Sequence, residues 1–121
     1  MIGVGIDAVD VERFRRSLAR TPGLADRLFT DSERAHAAER ADPTQRLAAR
    51  FAAKEAVMKA LGVGIGAFAF RDVEVVVADS GAPSLQLRGT ARRLAEERGV
   101  GRWHVSLTHT ATVAEAVAIA E

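Results

Sequence analysis

Asp7 closes a short apolar stretch, Ile2-Gly3-Val4-Gly5-Ile6, and is the first charged side chain of the protein. Glu55 and Lys59 stand four residues apart further along, with Arg50 and Lys54 just before them. Two carboxylates in a chain without cysteine are hard oxygen ligands, suited to a divalent cation such as Mg²⁺. Such an ion keeps waters and takes its other ligands from a phosphate. Lys59, and Arg50 about one turn back, would add positive charge for more phosphate. The structural alternatives are ordinary. Asp7 can be a turn or helix-start carboxylate, and Glu55 with Lys59 can be a surface ion pair worth about 0.3–0.5 kcal/mol.

Lysine usage sharpens this. The chain has 15 arginines and two lysines, Lys54 and Lys59, in one segment. On a helix from Thr44 to Leu61, Leu47, Phe51, Val57, Met58 and Leu61 share an apolar arc, and Lys54 falls inside it. A lysine there needs an anionic partner, a subunit contact or a route to water. It can brace Asp7 and Glu55 or lie at a wet subunit seam.

His109 ends an alternating stretch and sits beside Thr110 at a turn, where an imidazole can bind phosphate or move a proton. His36 lies in a polar helix and reads as solvated. Gly62, Gly64 and Gly66 have the spacing of an anion nest. They follow a helix and not a strand, so the dinucleotide-binding fingerprint does not apply. Between Glu12 and Arg20, Arg13, Arg15, Arg16 and Arg20 give a basic helix face that can dock an acidic protein.

The elements that must position these residues are legible. Ile2 to Asp7 alternates as a strand with glycines on its second face, so something can approach that face closely. Asp10 is an N-cap for a helix from Val11 to Arg20. A short helix covers Ala25 to Phe29. Thr30 and Glu33 form a capping box for a helix reaching Arg40. Thr44 to Leu61 is the longest helix, stopped by Gly62. Val73 to Val77 and Ser84 to Leu87 are strands around a turn, and Gly89 to Arg98 is a helix. Trp103 to Thr108 and Val113 to Ala120 are a final hairpin. The mixture predicts an α+β domain over residues 1–121, a small antiparallel sheet packed on a long helix.

Composition excludes several classes. With 121 residues, 48% hydrophobic and 27% charged, the chain is long enough for one core and is not of disordered type. Zero cysteines exclude thiolate chemistry, and a net charge of +1 argues against nucleic acid. No stretch is apolar and long enough for a membrane span, and the first residues lack a signal-peptide pattern. The expectation is a cytoplasmic protein.

Three segments together resemble one family, the holo-acyl-carrier-protein synthases. They are Gly3-Val4-Gly5-Ile6-Asp7, then Arg50-Phe51-Ala52-Ala53-Lys54-Glu55-Ala56-Val57-Met58-Lys59-Ala60, then Trp103-His104-Val105-Ser106-Leu107-Thr108-His109-Thr110. The second is similar to that family's F-x-x-K-E-x-x-x-K helix. The resemblance implies a short, homotrimeric 4′-phosphopantetheinyl transferase with that family's fold and with active sites between subunits. It implies transfer of 4′-phosphopantetheine from coenzyme A to a serine of apo acyl carrier protein, in fatty acid biosynthesis, with release of adenosine 3′,5′-bisphosphate. On the matching positions Asp7 and Glu55 would hold Mg²⁺, and Lys59 would meet the pyrophosphate. Arg50, Gly64, His109 and Thr110 would contact coenzyme A. Arg13, with Arg16 and Arg20, would dock the carrier. Met58 and Ala82 depart from the family's usual small polar and basic residues at those places, which bears on coenzyme A contacts. Two rival readings are a non-catalytic module for an acidic partner, and a transferase acting on polyketide or peptide synthase carrier domains.

Overall fold

The computed structural model describes residues 1–121. Strand β1 (Gly3–Asp10) runs directly into helix α1 (Val11–Arg20), and the Asp10 side chain accepts the Arg13 amide at 2.9 Å as the cap. The strand outruns its predicted end at Asp7 because pairing with the C-terminal strand continues to Asp10. Helices α2 (Leu24–Leu28) and α3 (Asp31–Ala37) follow, with the Thr30–Glu33 capping box in place. Helix α3 stops short of Arg40. The Glu39 and Arg40 amides reach back only three residues, to His36 and Ala37, and so tighten the chain into a turn.

Helix α4 (Thr44–Ala60) is the spine, 17 residues or about 25 Å long. After it come a 3₁₀ turn at Phe70–Asp72, β2 (Val73–Val77), β3 (Pro83–Leu87), α5 (Gly89–Glu97), β4 (Trp103–His109) and β5 (Val113–Ala120). There are two antiparallel sheets, ordered β1-β5-β4 and β2-β3. The register places Asp7, Ala116 and Leu107 in one row across the larger sheet.

Small residues bring that sheet against α4. Strand β5 turns Ala114, Ala116, Ala118 and Ala120 inward, all buried, and α4 answers with Ala52, Ala53, Ala56 and Ala60. Strand β1 presents Gly3, Gly5 and Asp7 on the same face. A Cβ at Gly5 would fall far inside contact distance of the Ala56 carbonyl oxygen, and one at Gly3 would strike Ala60. The close approach predicted from the glycines is therefore that of the α4 backbone. One end of the core is aromatic: Phe51 stacks on Phe14 at 5.2 Å and on Phe70 at 5.4 Å between centroids. The opposite face of β1 carries Ile2, Val4 and Ile6, all exposed. No helix is long and apolar enough to cross a membrane.

Candidate active site

Asp7 is the first residue of β1's inner face with a side chain to offer, and Glu55 emerges from α4 where the glycines let strand and helix close. Both line a groove of about 380 Å³ with Asp10, Arg13, Ser17, Phe14 and Phe51. Its floor is the stacked Phe14–Phe51 pair and its far wall is α1. Folding thus joins Asp7, Glu55 and Arg13, which are scattered over 49 positions of sequence.

Lys59 does not pair with Glu55, its neighbour one turn away. It donates to Asp7 Oδ1 at 3.0 Å and to the Ile6 carbonyl at 2.9 Å. The Asp7 side chain is 13% exposed and Lys59 53% exposed, so the pair sits at the groove's lip. Glu55 is left without an ion-pair partner. Burial, and then the negative charge of Asp7, push its carboxyl above the usual range, with Lys59 opposing. A carboxyl made harder to ionise by a second carboxylate beside it, with no ion-pair partner of its own, is a donor suited to a divalent cation. No group of three or more His, Cys, Asp or Glu is arranged so that it could hold a metal ion by itself. A Mg²⁺ held by Asp7 and Glu55 would therefore complete its shell with water and phosphate oxygens, as this hard ion commonly does.

A second cluster lies toward the other end of α4. His109, at the end of β4, lines a cavity of about 270 Å³ with Arg40, Ala41, Asp42, Gln45 and Arg46. Thr110 Oγ1 accepts the Val113 amide at 3.1 Å and holds the β4–β5 turn that carries His109. Arg46 and Glu55 are nine residues apart, about 14 Å along the helix axis. Gly64 stands exposed in the loop after α4 and lines neither cavity. Arg13, Arg16 and Arg20 are exposed on one face of α1, while Arg15 is taken by Glu12 and Asp42. Asp42 is held at about 2 by the Thr44 amide and hydroxyl and by Arg15.

Three expectations change. Lys54 neither braces Asp7 or Glu55 nor meets a wet seam. It is fully buried and donates to Glu33 Oε1 at 2.8 Å and to the Phe70 and Val73 carbonyls, over the Phe29 ring. Glu33 also accepts the Thr30 and Val75 amides, so the capping-box glutamate is the anionic partner a buried lysine requires. Arg50 is buried and faces α3, donating to His36 Nδ1 at 2.6 Å and to the Arg46 carbonyl. His36 is thus not simply solvated. Its ring accepts from Arg50, its carbonyl accepts from Arg46, and burial followed by the nearby arginines lowers its pKa. Arg46, Arg40 and Gln45 escaped the sequence reading. The available signal was the spacing of four between Arg46 and Arg50.

A family model described as the 4′-phosphopantetheinyl transferase superfamily matches residues 3–117. The chain belongs to this superfamily. The holo-[acyl-carrier-protein] synthase of Streptomyces avermitilis is 54% identical over 121 residues, 100% of this chain and 98% of that protein. The crystal structure of the Neisseria meningitidis holo-[acyl-carrier-protein] synthase superposes with a TM-score of 0.89 at 33% identity, covering 100% and 99% of the two chains. That of Bacillus anthracis, in complex with coenzyme A (3′,5′-ADP), gives 0.82 at 32% identity over 99% and 96%. Met58 lines neither cavity. It is buried among Val57, Leu61 and Phe68. Ala82 stands exposed in the β2–β3 turn.

Proposed function

We propose that the chain transfers the 4′-phosphopantetheine arm of coenzyme A to a serine of apo acyl carrier protein, with Mg²⁺, releasing adenosine 3′,5′-bisphosphate. The observation that carries this is the groove in which Asp7, Glu55 and the Lys59–Asp7 pair meet the basic helix α1. In the reaction the serine oxygen bonds to the β-phosphorus as that phosphorus parts from the bridging oxygen, the bisphosphate leaves with that oxygen, and the serine proton is released to solvent. Asp7 and Glu55 would hold the cation. When bound there, the ion would neutralise pyrophosphate charge and polarise the phosphorus under attack. The Lys59 ammonium stabilises charge on the departing bisphosphate. Arg46, His109 and Thr110, with Arg50 behind them, form the basic end that suits the nucleotide phosphates. Arg13, Arg16 and Arg20 present unpaired guanidinium groups to the acidic carrier.

The working form is a homotrimer with the active site between subunits. Two features support this. Ile2, Val4 and Ile6 form an exposed apolar row on β1, at 44%, 51% and 65% exposure, of the kind that marks a subunit contact. The carboxylate groove and the basic cavity also stand apart along α4, so one subunit can offer its groove to its neighbour's cavity. The reading is tested by following nucleotide release from coenzyme A in the presence of apo carrier and Mg²⁺. Adenosine 3′,5′-bisphosphate is expected, and neither Asp7→Ala nor Glu55→Ala should release it above about a thousandth of the wild-type rate. Full release in excess chelator would contradict the reading.

A further inference from the structure

Lys59 has three acceptors within its reach and chooses two. The side chain could lie against Glu55, one turn earlier on the same helix. It crosses instead to β1 and takes Asp7 Oδ1 at 3.0 Å and the Ile6 carbonyl at 2.9 Å. The carbonyl matters here. A neutral oxygen from the strand holds the ammonium in place beside Asp7, so the contact is a two-point seat and not one exposed ion pair. Asp7 is largely covered, and Lys59 supplies a cation to it from within the chain. Glu55 has no such partner. Of the groove's carboxylates, Asp10 is used as the α1 cap, Asp7 is paired with Lys59, and Glu55 is open.

We infer that Lys59 is a placeholder for the divalent cation: it holds Asp7 Oδ1, and a cation that takes that oxygen must displace it. This inference rests on the reading of Asp7 and Glu55 as the cation's ligands and extends it to the order of binding. A hard cation and an ammonium compete for the charge of one carboxylate, so metal alone binds against the cost of weakening or breaking the Lys59 contact to Oδ1. A pyrophosphate changes that balance, because it offers the displaced ammonium an anionic destination within the length of its own side chain. Metal and coenzyme A then strengthen each other's binding, and by linkage the factor is the same in both directions. The consequence is a site that loads its cation together with the substrate phosphates and holds it weakly without them.

Calorimetric titration with Mg²⁺ alone, on the folded full-length protein, tests this without any turnover. Lys59→Met keeps the stem and removes the ammonium. It is expected to bind Mg²⁺ roughly tenfold more tightly than wild type, the order of one charge-assisted hydrogen bond. Lys59→Arg, which keeps a cation able to span to Asp7, is expected to bind as weakly as wild type. Arg13→Met removes a positive charge from the opposite wall of the same groove without touching Asp7, and is expected to tighten Mg²⁺ binding by less than about twofold. Equal tightening by Arg13→Met and Lys59→Met would reduce the effect to overall charge and overturn the placeholder role. Unchanged or weaker Mg²⁺ binding by Lys59→Met would overturn it as well. Asp7→Asn tests the underlying reading separately: if it binds Mg²⁺ as wild type does, Asp7 is no ligand and the failure lies there.

Discussion

Helix α4 carries two lysines five residues apart, each with a carboxylate and backbone carbonyl oxygen, and their surroundings give them opposite work. Lys54 and Glu33 are both fully buried. Glu33 accepts from Lys54 and from the Thr30 and Val75 amides, while Lys54 spends its remaining donors on Phe70 and Val73. Nothing in that knot is free to meet a ligand, and it ties α3, α4 and β2 together. Lys59 and Asp7 lie at the rim of a groove beside the unpaired Glu55. The two pairs are alike in residue type and near-equal in length. What separates structure from site is whether the surrounding donors and acceptors are all used.

The comparison breaks most sharply by removing the buried ammonium. Lys54→Met leaves Glu33 as an uncompensated buried charge and should cost about 3–5 kcal/mol of stability. Adding Glu33→Gln removes that charge and should recover part of the loss, a coupling that a double-mutant cycle of denaturant unfolding would show. A Lys54→Met protein as stable as wild type would place the pair among surface ion pairs.

The exposed lysine should behave in the reverse way. Lys59→Met should move stability by less than about 0.5–1 kcal/mol while lowering kcat by roughly a hundredfold or more. Steady-state kinetics beside thermal unfolding separates the two effects, and a stability loss matching that of Lys54→Met would dissolve the distinction.

The basic face of α1 supplies a milder contrast. Reversing charge at Arg13 and Arg16 together should raise KM for the carrier several-fold at low salt and less at high salt, with coenzyme A binding unchanged. An equal KM at both ionic strengths would count against α1 as the docking face.

The smallest expected effect is a pH dependence of the open carboxylate. The folded Glu55 carboxyl lies above its unfolded value near 4.5, so between those values the folded state holds a proton the unfolded chain has released. Stability contributed by Glu55 therefore falls as pH rises through that window, and Mg²⁺, which binds the ionised form, should offset the fall. Thermal melts of wild type against Glu55→Gln, with and without Mg²⁺, isolate the difference. Parallel curves would contradict the upward shift of Glu55.

The sequence was most informative where backbone demands are strict. Gly3 and Gly5 announced a close approach, Trp103 to Thr108 with Val113 to Ala120 announced a hairpin, and Thr30 with Glu33 announced a helix start. Strand order was less visible: β5 lies between β1 and β4, a long-range choice that local patterns do not encode. The same limit governed side-chain partners. Lys54 required an acid, but Glu33 already had a role as a cap, and only the packing of α3 beside α4 and β2 gave it a second. Asp7 and Glu55 were legible as candidate ligands by type, and their shared groove only through the register that sets Asp7 opposite Ala116 and under α4. Arg46 was missed, and His36 read as solvated, because their meeting depends on where α3 ends.

The central claim is the transfer itself. Incubating the protein with coenzyme A, Mg²⁺ and apo acyl carrier protein, then weighing the intact carrier, tests it directly. The carrier should gain the mass of one 4′-phosphopantetheine per molecule, and a carrier with its acceptor serine changed to alanine should gain nothing. A carrier whose mass is unchanged, with coenzyme A intact and the protein folded, would contradict the account.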